Sequence, residues 1–222
     1  MSAVLRRLHL PRLCNEALDH PLTPGEREAM VGAAAAKLEE FFDVLQVDHR
    51  NDHNTRSTPR RVARMFVEEL MSGRYDDPPA ITEFDNALGY EGLILTGPIE
   101  LRSTCAHHLM PIHGSVFVGV VPSAEGKIIG LSKYDRIVHH FASRLQIQEE
   151  LVQQIGRYIV DRTAPRGLAV RVSAVHMCRT QRGVRAGQRS RMVTTAHFGC
   201  MNEDAALKEE FLRECLALES YA

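Results

Sequence analysis

Two segments in the first part of the chain carry apolar residues at helical spacing. The first helix is predicted to begin at Thr23, where the letters TPGE offer an N-cap, a proline at the first helical position and a capping-box glutamate, Glu26. The second has Thr58 as its predicted cap, followed by a proline, and Gly73 as its predicted stop. Residues 1–22 lack this periodicity, so an irregular arm is predicted there.

The pattern changes after a connector over residues 76–92. Strands are predicted over 93–103, 114–122 and 126–132, then helices over 133–145 and 146–162, strands over 167–177 and 190–198, and an amphipathic helix over 203–220. Ser132 is predicted to cap the first helix of the central pair. The order predicts an α+β fold, because strands and helices do not alternate as βαβ units do. We expect an N-terminal arm and helical region over 1–85 and a second domain over 86–222.

Composition places the chain among soluble globular proteins. Of its 222 residues, 44% are apolar and 25% are charged, and no apolar run approaches the length of a membrane span. The N-terminus has no continuous apolar segment or cleavage site of a signal peptide. Five cysteines are an odd number, which favours reduced thiols in a cytoplasmic protein over a disulfide framework.

The formal net charge of −1 hides a basic segment. Between Arg162 and Asn202 there are eight arginines and no aspartate or glutamate. A solvated basic face is one interpretation, but clustered guanidinium groups favour an anionic ligand, and arginine suits phosphate through bidentate donation. Nucleic acid is disfavoured, since no aromatic residues interleave the arginines and no nucleic-acid-binding motif is present.

A cysteine and two histidines stand close together in the letters STCAHHLMPIHG. Cys105 and His108 are three residues apart, so one turn can direct both at a single ion, and Cys178 lies in a later β-rich segment that can pair beside them. A Cys/His/Cys set fits tetrahedral zinc with one position open to water, which is typical of a catalytic site. Buried core cysteines remain the alternative on spacing alone.

Three blocks of the sequence resemble the signature motifs of GTP cyclohydrolase I: STCAHHLMPIHG, GLSKYDRIVHHFASRLQIQEELVQQI and VHMCRTQRGVR. The resemblance runs from about Thr58 to the C-terminus. It implies a tunnelling fold, in which two helices pack on an antiparallel sheet, and a homodecamer of two pentamers. It also implies conversion of GTP to 7,8-dihydroneopterin triphosphate and formate at a catalytic Zn²⁺, feeding tetrahydrofolate, other pterin or deazapurine synthesis. No nucleic acid or membrane partner is implied.

The resemblance also implies functions for individual residues. Zinc makes a water nucleophilic near neutral pH, that water adds to C8 of guanine, and histidines move the protons needed for ring opening. A carboxylate recognises the N1 and N2 hydrogens of guanine, and cations hold the triphosphate. The implied zinc ligands are Cys105, His108 and Cys178; the catalytic residues are His107, His176 and Ser132; the substrate-binding residues are Arg64, Lys133, Arg136, Gln148, Glu149 and Arg182. The remaining histidines His113, His139, His140 and His197 are predicted to be structural.

The chain departs from the family pattern at two places. Ala106 occupies the position after the first zinc cysteine, where the family has an acidic residue, and the stretch 186–200 is longer and richer in arginine.

Three hypotheses about function follow. The first is the complete GTP cyclohydrolase I reaction, the second a hydrolase of the same fold that stops at a ring-opened product, and the third a non-catalytic zinc-stabilised nucleotide-binding subunit.

Overall fold

The computed structural model describes residues 12–220, which form two compact units. The first unit ends at Asp77 and the second begins at Pro78. Of the predicted arm, residues 1–11 lie outside the described residues, whereas residues 12–22 form turns and bends. Within residues 12–220, no helix is both long enough and apolar enough to cross a membrane.

The N-terminal unit is helical, as its apolar periodicity predicts. The capping box is confirmed: the Thr23 amide donates to the Glu26 carboxylate over 2.9 Å, and the Glu26 amide donates to the Thr23 hydroxyl over 3.3 Å. Leu22, Val31 and Val67 are buried together in its core. The helices are α1 (Pro24–Val44), α2 (Thr58–Arg64), a π-helical stretch (Met65–Leu70) and α3 (Ser72–Tyr75).

The predicted ends of the second helix are wrong. Thr58 is the first residue of α2, and the cap position belongs to Ser57, whose side chain makes no capping hydrogen bond. Gly73 does not stop the helical segment, because α3 runs across it to Tyr75.

The C-terminal unit contains the strands and the paired helices that the sequence predicts. Its elements are β1 (Glu83–Asp85), β2 (Ile94–Cys105), β3 (Pro111–Val121), β4 (Lys127–Ile129), α4 (Ser132–Ala142), β5 (Leu145–Gln146), α5 (Gln148–Thr163), β6 (Gly167–His176), α6 (Met177–Thr180), β7 (Met192–Gly199), a 3₁₀ turn (Cys200–Asn202) and α7 (Ala205–Ser220). The main sheet has the order β5-β2-β3-β6-β7, and every neighbouring pair is antiparallel except β5 with β2. An antiparallel sheet with two helices between its strands confirms the predicted α+β fold class.

Three local expectations in this unit are corrected. Ser132 is the first helical residue of α4, and its side chain makes no capping hydrogen bond. Leu145 and Gln146 are not helical, because they pair in parallel with Thr104 and Cys105 at the end of β2. The predicted connector contains β1, which pairs with β4 in a separate two-stranded sheet.

The two faces of the sheet bury two different cores, because side chains alternate along each strand. Leu168 and Val170 of β6 belong to the larger core, which α4 and α5 cover. Ala169 of β6 packs with Phe211 and Cys215 of α7 on the opposite face.

Candidate active site

The turn between β2 and β3 presents the first cluster of candidate groups. The Cys105 amide donates to the Met110 carbonyl over 2.8 Å, and the Leu109 amide donates back to the Cys105 carbonyl over 2.9 Å. Leu109 adopts φ 54, a left-handed conformation that closes the turn. His107 and His108 stand on this turn with exposed side chains, whereas Cys105 at its base is buried.

Strand register brings the second cluster to the same place. Ile112 at the start of β3 is paired with His176 at the end of β6, so the chain that follows His176 leaves the sheet beside the β2–β3 turn. The one-turn helix α6 then carries Cys178 back toward Cys105, and their sulfur atoms are 3.6 Å apart. Residues that are distant in sequence thus become neighbours because β3 lies between β2 and β6.

The cysteine pair has the chemistry of a cation site. Burial raises the pKa of the Cys178 thiol, and the neighbouring Cys105 raises it further. Two adjacent thiolates are therefore unfavourable without a positive charge between them. Tetrahedral zinc holds each sulfur at about 2.3 Å, which sets two sulfurs about 3.8 Å apart. The observed separation of 3.6 Å fits such a site.

An imidazole completes the cluster, and it belongs to His176. Within the described residues, the group of three potential ligands whose donor atoms all lie within 4.8 Å of one another is Cys105, His176 and Cys178. His108 stands outside this group and its Nε2 is 3.1 Å from the Arg182 guanidinium, which donates to it. His107 also stands outside this group, and its Nδ1 is 3.9 Å from Cys105 Sγ.

Gln148 holds His176 in one orientation. The Gln148 side chain is 1% exposed, and its amide nitrogen lies 3.1 Å from the Met192 carbonyl and 3.3 Å from the Val172 carbonyl. Because carbonyls only accept, the amide nitrogen must face them, and the amide oxygen must face His176. That oxygen is 2.7 Å from His176 Nε2, so Nε2 carries the proton and Nδ1 keeps the lone pair.

The start of α5 supplies a carboxylate to the same neighbourhood. Pairing of β5 with the end of β2 delivers Gln148 and Glu149 beside the cysteine turn, and the Ala106 amide donates to the Gln146 carbonyl over 3.1 Å. Burial lowers the pKa of His176, while the negative charge of Glu149 raises it. Glu149 itself is exposed and therefore accessible to a ligand.

A cavity of about 280 Å³ opens beside the cluster. His176 and Cys178 form one side of it, and the others are formed by Arg179, Ser190, Arg191 and Met192. Sequence reasoning did not name Arg179 or Arg191 as site residues. The sequence feature that points to them is the excess of arginine over residues 162–202, which favours an anionic ligand for the segment as a whole.

The other predicted residues lie on two further elements. Ser132, Lys133 and Arg136 occupy the first turns of α4, where Ser132 and Arg136 are exposed. Arg64 belongs to the N-terminal unit, where its guanidinium lies 3.7 Å from Glu28 and 3.6 Å from Glu68.

Known proteins resemble the chain over most of its length. The sequence profile of the GTP cyclohydrolase I family matches residues 34–216. GTP cyclohydrolase 1 of Shewanella denitrificans is 39% identical over 193 residues, which is 86% of each chain. GTP cyclohydrolase 1 of a Shewanella species (strain MR-7) is 36% identical over 208 residues, which is 93% of each chain. Among solved structures, the apo form of the archaeosine synthase QueF-Like is 14% identical with a TM-score of 0.36, covering 55% of this chain and 97% of its own. The profile match and the two Shewanella enzymes show that the chain belongs to the GTP cyclohydrolase I family.

Proposed function

We propose that this enzyme opens the imidazole ring of GTP at C8 by zinc-dependent hydrolysis, releases formate and recyclises the product to 7,8-dihydroneopterin triphosphate. The observation that carries the proposal is the pair of cysteine sulfurs 3.6 Å apart with an imidazole beside them, in a chain of the GTP cyclohydrolase I family. The cluster lies next to a cavity that a substrate can enter.

Cys105 and Cys178 are the two thiolate ligands in this proposal, and His108 is the third ligand that the family resemblance implies. A zinc ion held there would supply Lewis acidity and a water that is nucleophilic near neutral pH. His176 is the competing third ligand, because its donor atom already lies within 4.8 Å of both sulfurs. The hydrogen bond from His176 Nε2 to the Gln148 oxygen also fits a metal ligand, because a metal-bound histidine usually donates its other ring N–H to an oxygen acceptor.

Proton transfer is assigned to His107 and His176. Opening of the ring requires a proton at the departing ring nitrogen, and imidazole has the appropriate pKa. Gln148 acts as a positioning residue, because its oxygen fixes which nitrogen of His176 carries the proton. Ser132, at the start of α4, is assigned to the ribose and phosphates of the substrate.

Recognition of GTP is divided between a carboxylate and cations. Glu149 is assigned to the N1 and N2 hydrogens of guanine, and Lys133, Arg136, Arg182 and Arg64 are assigned to the triphosphate. The cavity of about 280 Å³ is at the small end for ligand sites, with room for a purine base but not for a whole nucleoside triphosphate. In the decamer that the family resemblance implies, surfaces of neighbouring chains would enclose the rest of the substrate.

A reaction that stops early is the second candidate, and Ala106 is the observation that favours it. Alanine cannot hold a proton where the family has an acid. Glu100 does not replace that acid in the structure, since its carboxylate pairs with Arg102 over 2.7 Å. Glu149, the carboxylate whose charge acts on His176, is already assigned to guanine, so in the complete reaction a water or another carboxylate would handle that proton.

One assay separates the three hypotheses. Zinc-loaded protein is incubated with GTP, and pterin fluorescence and formate are measured in parallel. Both signals support the complete reaction. A ring-opened product without fluorescence supports the early stop, and unchanged GTP supports a non-catalytic subunit.

Substitution of Ala106 then tests whether the missing acid limits the reaction. If it does, Ala106→Glu should accelerate the step that follows ring opening by roughly 10²–10⁴-fold, which is the usual effect of one acid–base group. Rapid pterin formation by the wild-type enzyme, unchanged by the glutamate, would eliminate the early-stop hypothesis.

A further inference from the structure

A second cavity lies on the face of the sheet that α7 covers, away from the cysteine and histidine cluster. It has a volume of about 150 Å³. Arg171 of β6 and Thr195 of β7 are register partners, and His197 projects from the same face two residues further along β7. The lining residues are Arg171, Thr195, His197, Lys208, Phe211 and Leu212.

This cavity is basic and has no acidic partner. In the described part of the chain, none of its lining residues is an aspartate or glutamate, and no ion pair of Arg171 or Lys208 is observed. Lys208 donates to the Asn202 carbonyl over 2.6 Å, and this acceptor carries no charge. By contrast, Arg166 on a neighbouring segment pairs with Glu91 over 2.9 Å.

Arg171 has one hydrogen-bond donor without an acceptor among the described residues. Its Nε atom is buried and has no hydrogen-bond partner within residues 12–220. A buried N–H of a charged group without an acceptor is destabilising, so an anion that draws the partly exposed Arg171 guanidinium toward the cavity would relieve that cost. Burial and the Lys208 charge both lower the pKa of His197, which is consistent with a positive local field.

We propose that this cavity binds a small phosphoryl oxyanion, either inorganic phosphate or the phosphate of a small monoester. A guanidinium and an ammonium group supply charged donors, and the Thr195 hydroxyl and the His197 imidazole supply neutral ones. A volume of about 150 Å³ admits one tetrahedral oxyanion and excludes a nucleotide, so this site is separate from the one proposed for GTP.

The test measures phosphate binding by calorimetry on zinc-loaded, full-length protein in chloride buffer of constant ionic strength. All proteins carry Arg182→Met, so that anion binding at the proposed triphosphate site is weakened. We expect one phosphate per chain in this background. Adding Lys208→Met should weaken binding about tenfold or more, and adding Arg171→Met should weaken it further, because each removes a charged donor. Arg213→Met is the matched control, since Arg213 lies on α7 and pairs with Glu214 at the surface.

Parallel titrations with glycerol phosphate and acetate identify the ligand class. Tighter binding of glycerol phosphate than of inorganic phosphate, with the same sensitivity to Lys208→Met, assigns the site to a phosphomonoester. Equal binding of acetate overturns the phosphoryl assignment. Absence of phosphate binding in the Arg182→Met background, or binding that neither Lys208→Met nor Arg171→Met alters, overturns the site itself.

Discussion

At the scale of single residues, the proposed zinc site is tested by replacing its ligands one at a time. We expect Cys178→Ser to lose most of its zinc, because one of two thiolates is removed, while Cys14→Ser, a change at an exposed cysteine, keeps full occupancy.

The two candidate histidine ligands should then differ. The family assignment predicts zinc loss in His108→Asn, and retained zinc with low activity in His176→Asn. Metal analysis after gel filtration measures all four variants. Full zinc content in Cys178→Ser would remove the ligand assignment, and zinc loss confined to His176→Asn would exchange the two histidines.

The proposed selectivity for guanine also depends on one side chain, that of Glu149. Glu149→Ala should raise the KM for GTP about ten- to a hundredfold and reduce the preference for GTP over ITP, which lacks the N2 amino group, because an unpaired hydrogen-bonding group costs binding energy. Glu150→Ala is the control, as the next exposed carboxylate in the same helical turn. An unchanged ratio of GTP to ITP turnover in Glu149→Ala would show that the base is read elsewhere.

At the scale of elements, the first residue of α5 joins the helix to β6 and β7. Gln148 donates to carbonyls of both strands and accepts from His176. We expect Gln148→Leu to lower kcat about ten- to a hundredfold with little change in the KM for GTP, because it leaves His176 without its hydrogen-bond partner. Gln153→Leu on the same helix serves as the control. A raised KM with unchanged kcat would instead support the contact with guanine that the family resemblance implies.

The helix α4 contains a histidine that makes folding sensitive to acid. Burial is the main reason that the pKa of His140 is lowered from 6.5 to about 4, and the neighbouring Arg144 guanidinium, 2.8 Å from His140 Nε2, lowers it as well. As the pH falls below 6.5, the unfolded chain takes up the proton before the folded one does, so stability declines between pH 6.5 and 4. Above pH 6.5, His140 does not affect how the stability of the folded protein depends on pH.

The expected result is a difference in how steeply the free energy of unfolding falls as the pH is lowered. Over this interval the free energy of unfolding of the wild type should fall by up to about 3 kcal/mol more than that of His140→Gln, which can still accept from Arg144. Denaturant unfolding at several pH values measures it. His53→Gln, a change at an exposed histidine of the N-terminal unit, should retain the wild-type slope, and parallel curves for His140→Gln and the wild type would contradict the assignment.

At the scale of the whole molecule, the uneven charge distribution should govern substrate binding. The eight arginines between Arg162 and Asn202 lie in a chain of net charge −1, so attraction for a triphosphate is local and sensitive to salt. We expect the KM for GTP to rise about tenfold between low and high ionic strength, and guanosine to be a much poorer substrate. Steady-state kinetics with both compounds measure this, and equal turnover of guanosine would exclude a triphosphate site.

How much of the structure can be predicted from the sequence depends on how far apart along the chain the interacting residues lie. The capping box of Thr23 and Glu26 is local, and it is confirmed. The strand at Leu145 and Gln146 was assigned to helix because its pairing partners, Thr104 and Cys105, are far away in the chain. The proximity of His176 to the sulfurs likewise follows from its register with Ile112, which no local pattern encodes.

The central position of β3 also has a consequence for the order of folding. Cys105 and Cys178 come together only after β3 has paired with both β2 and β6, and β6 follows β3 in the chain only after two helices. Such distant pairings form slowly because closure of a long loop is entropically costly. The donor atoms of the cysteine and histidine cluster are therefore brought together late in folding. Uptake of a metal ion would then report that the sheet has been assembled in its correct register. The bound ion would also stabilise that register against unfolding.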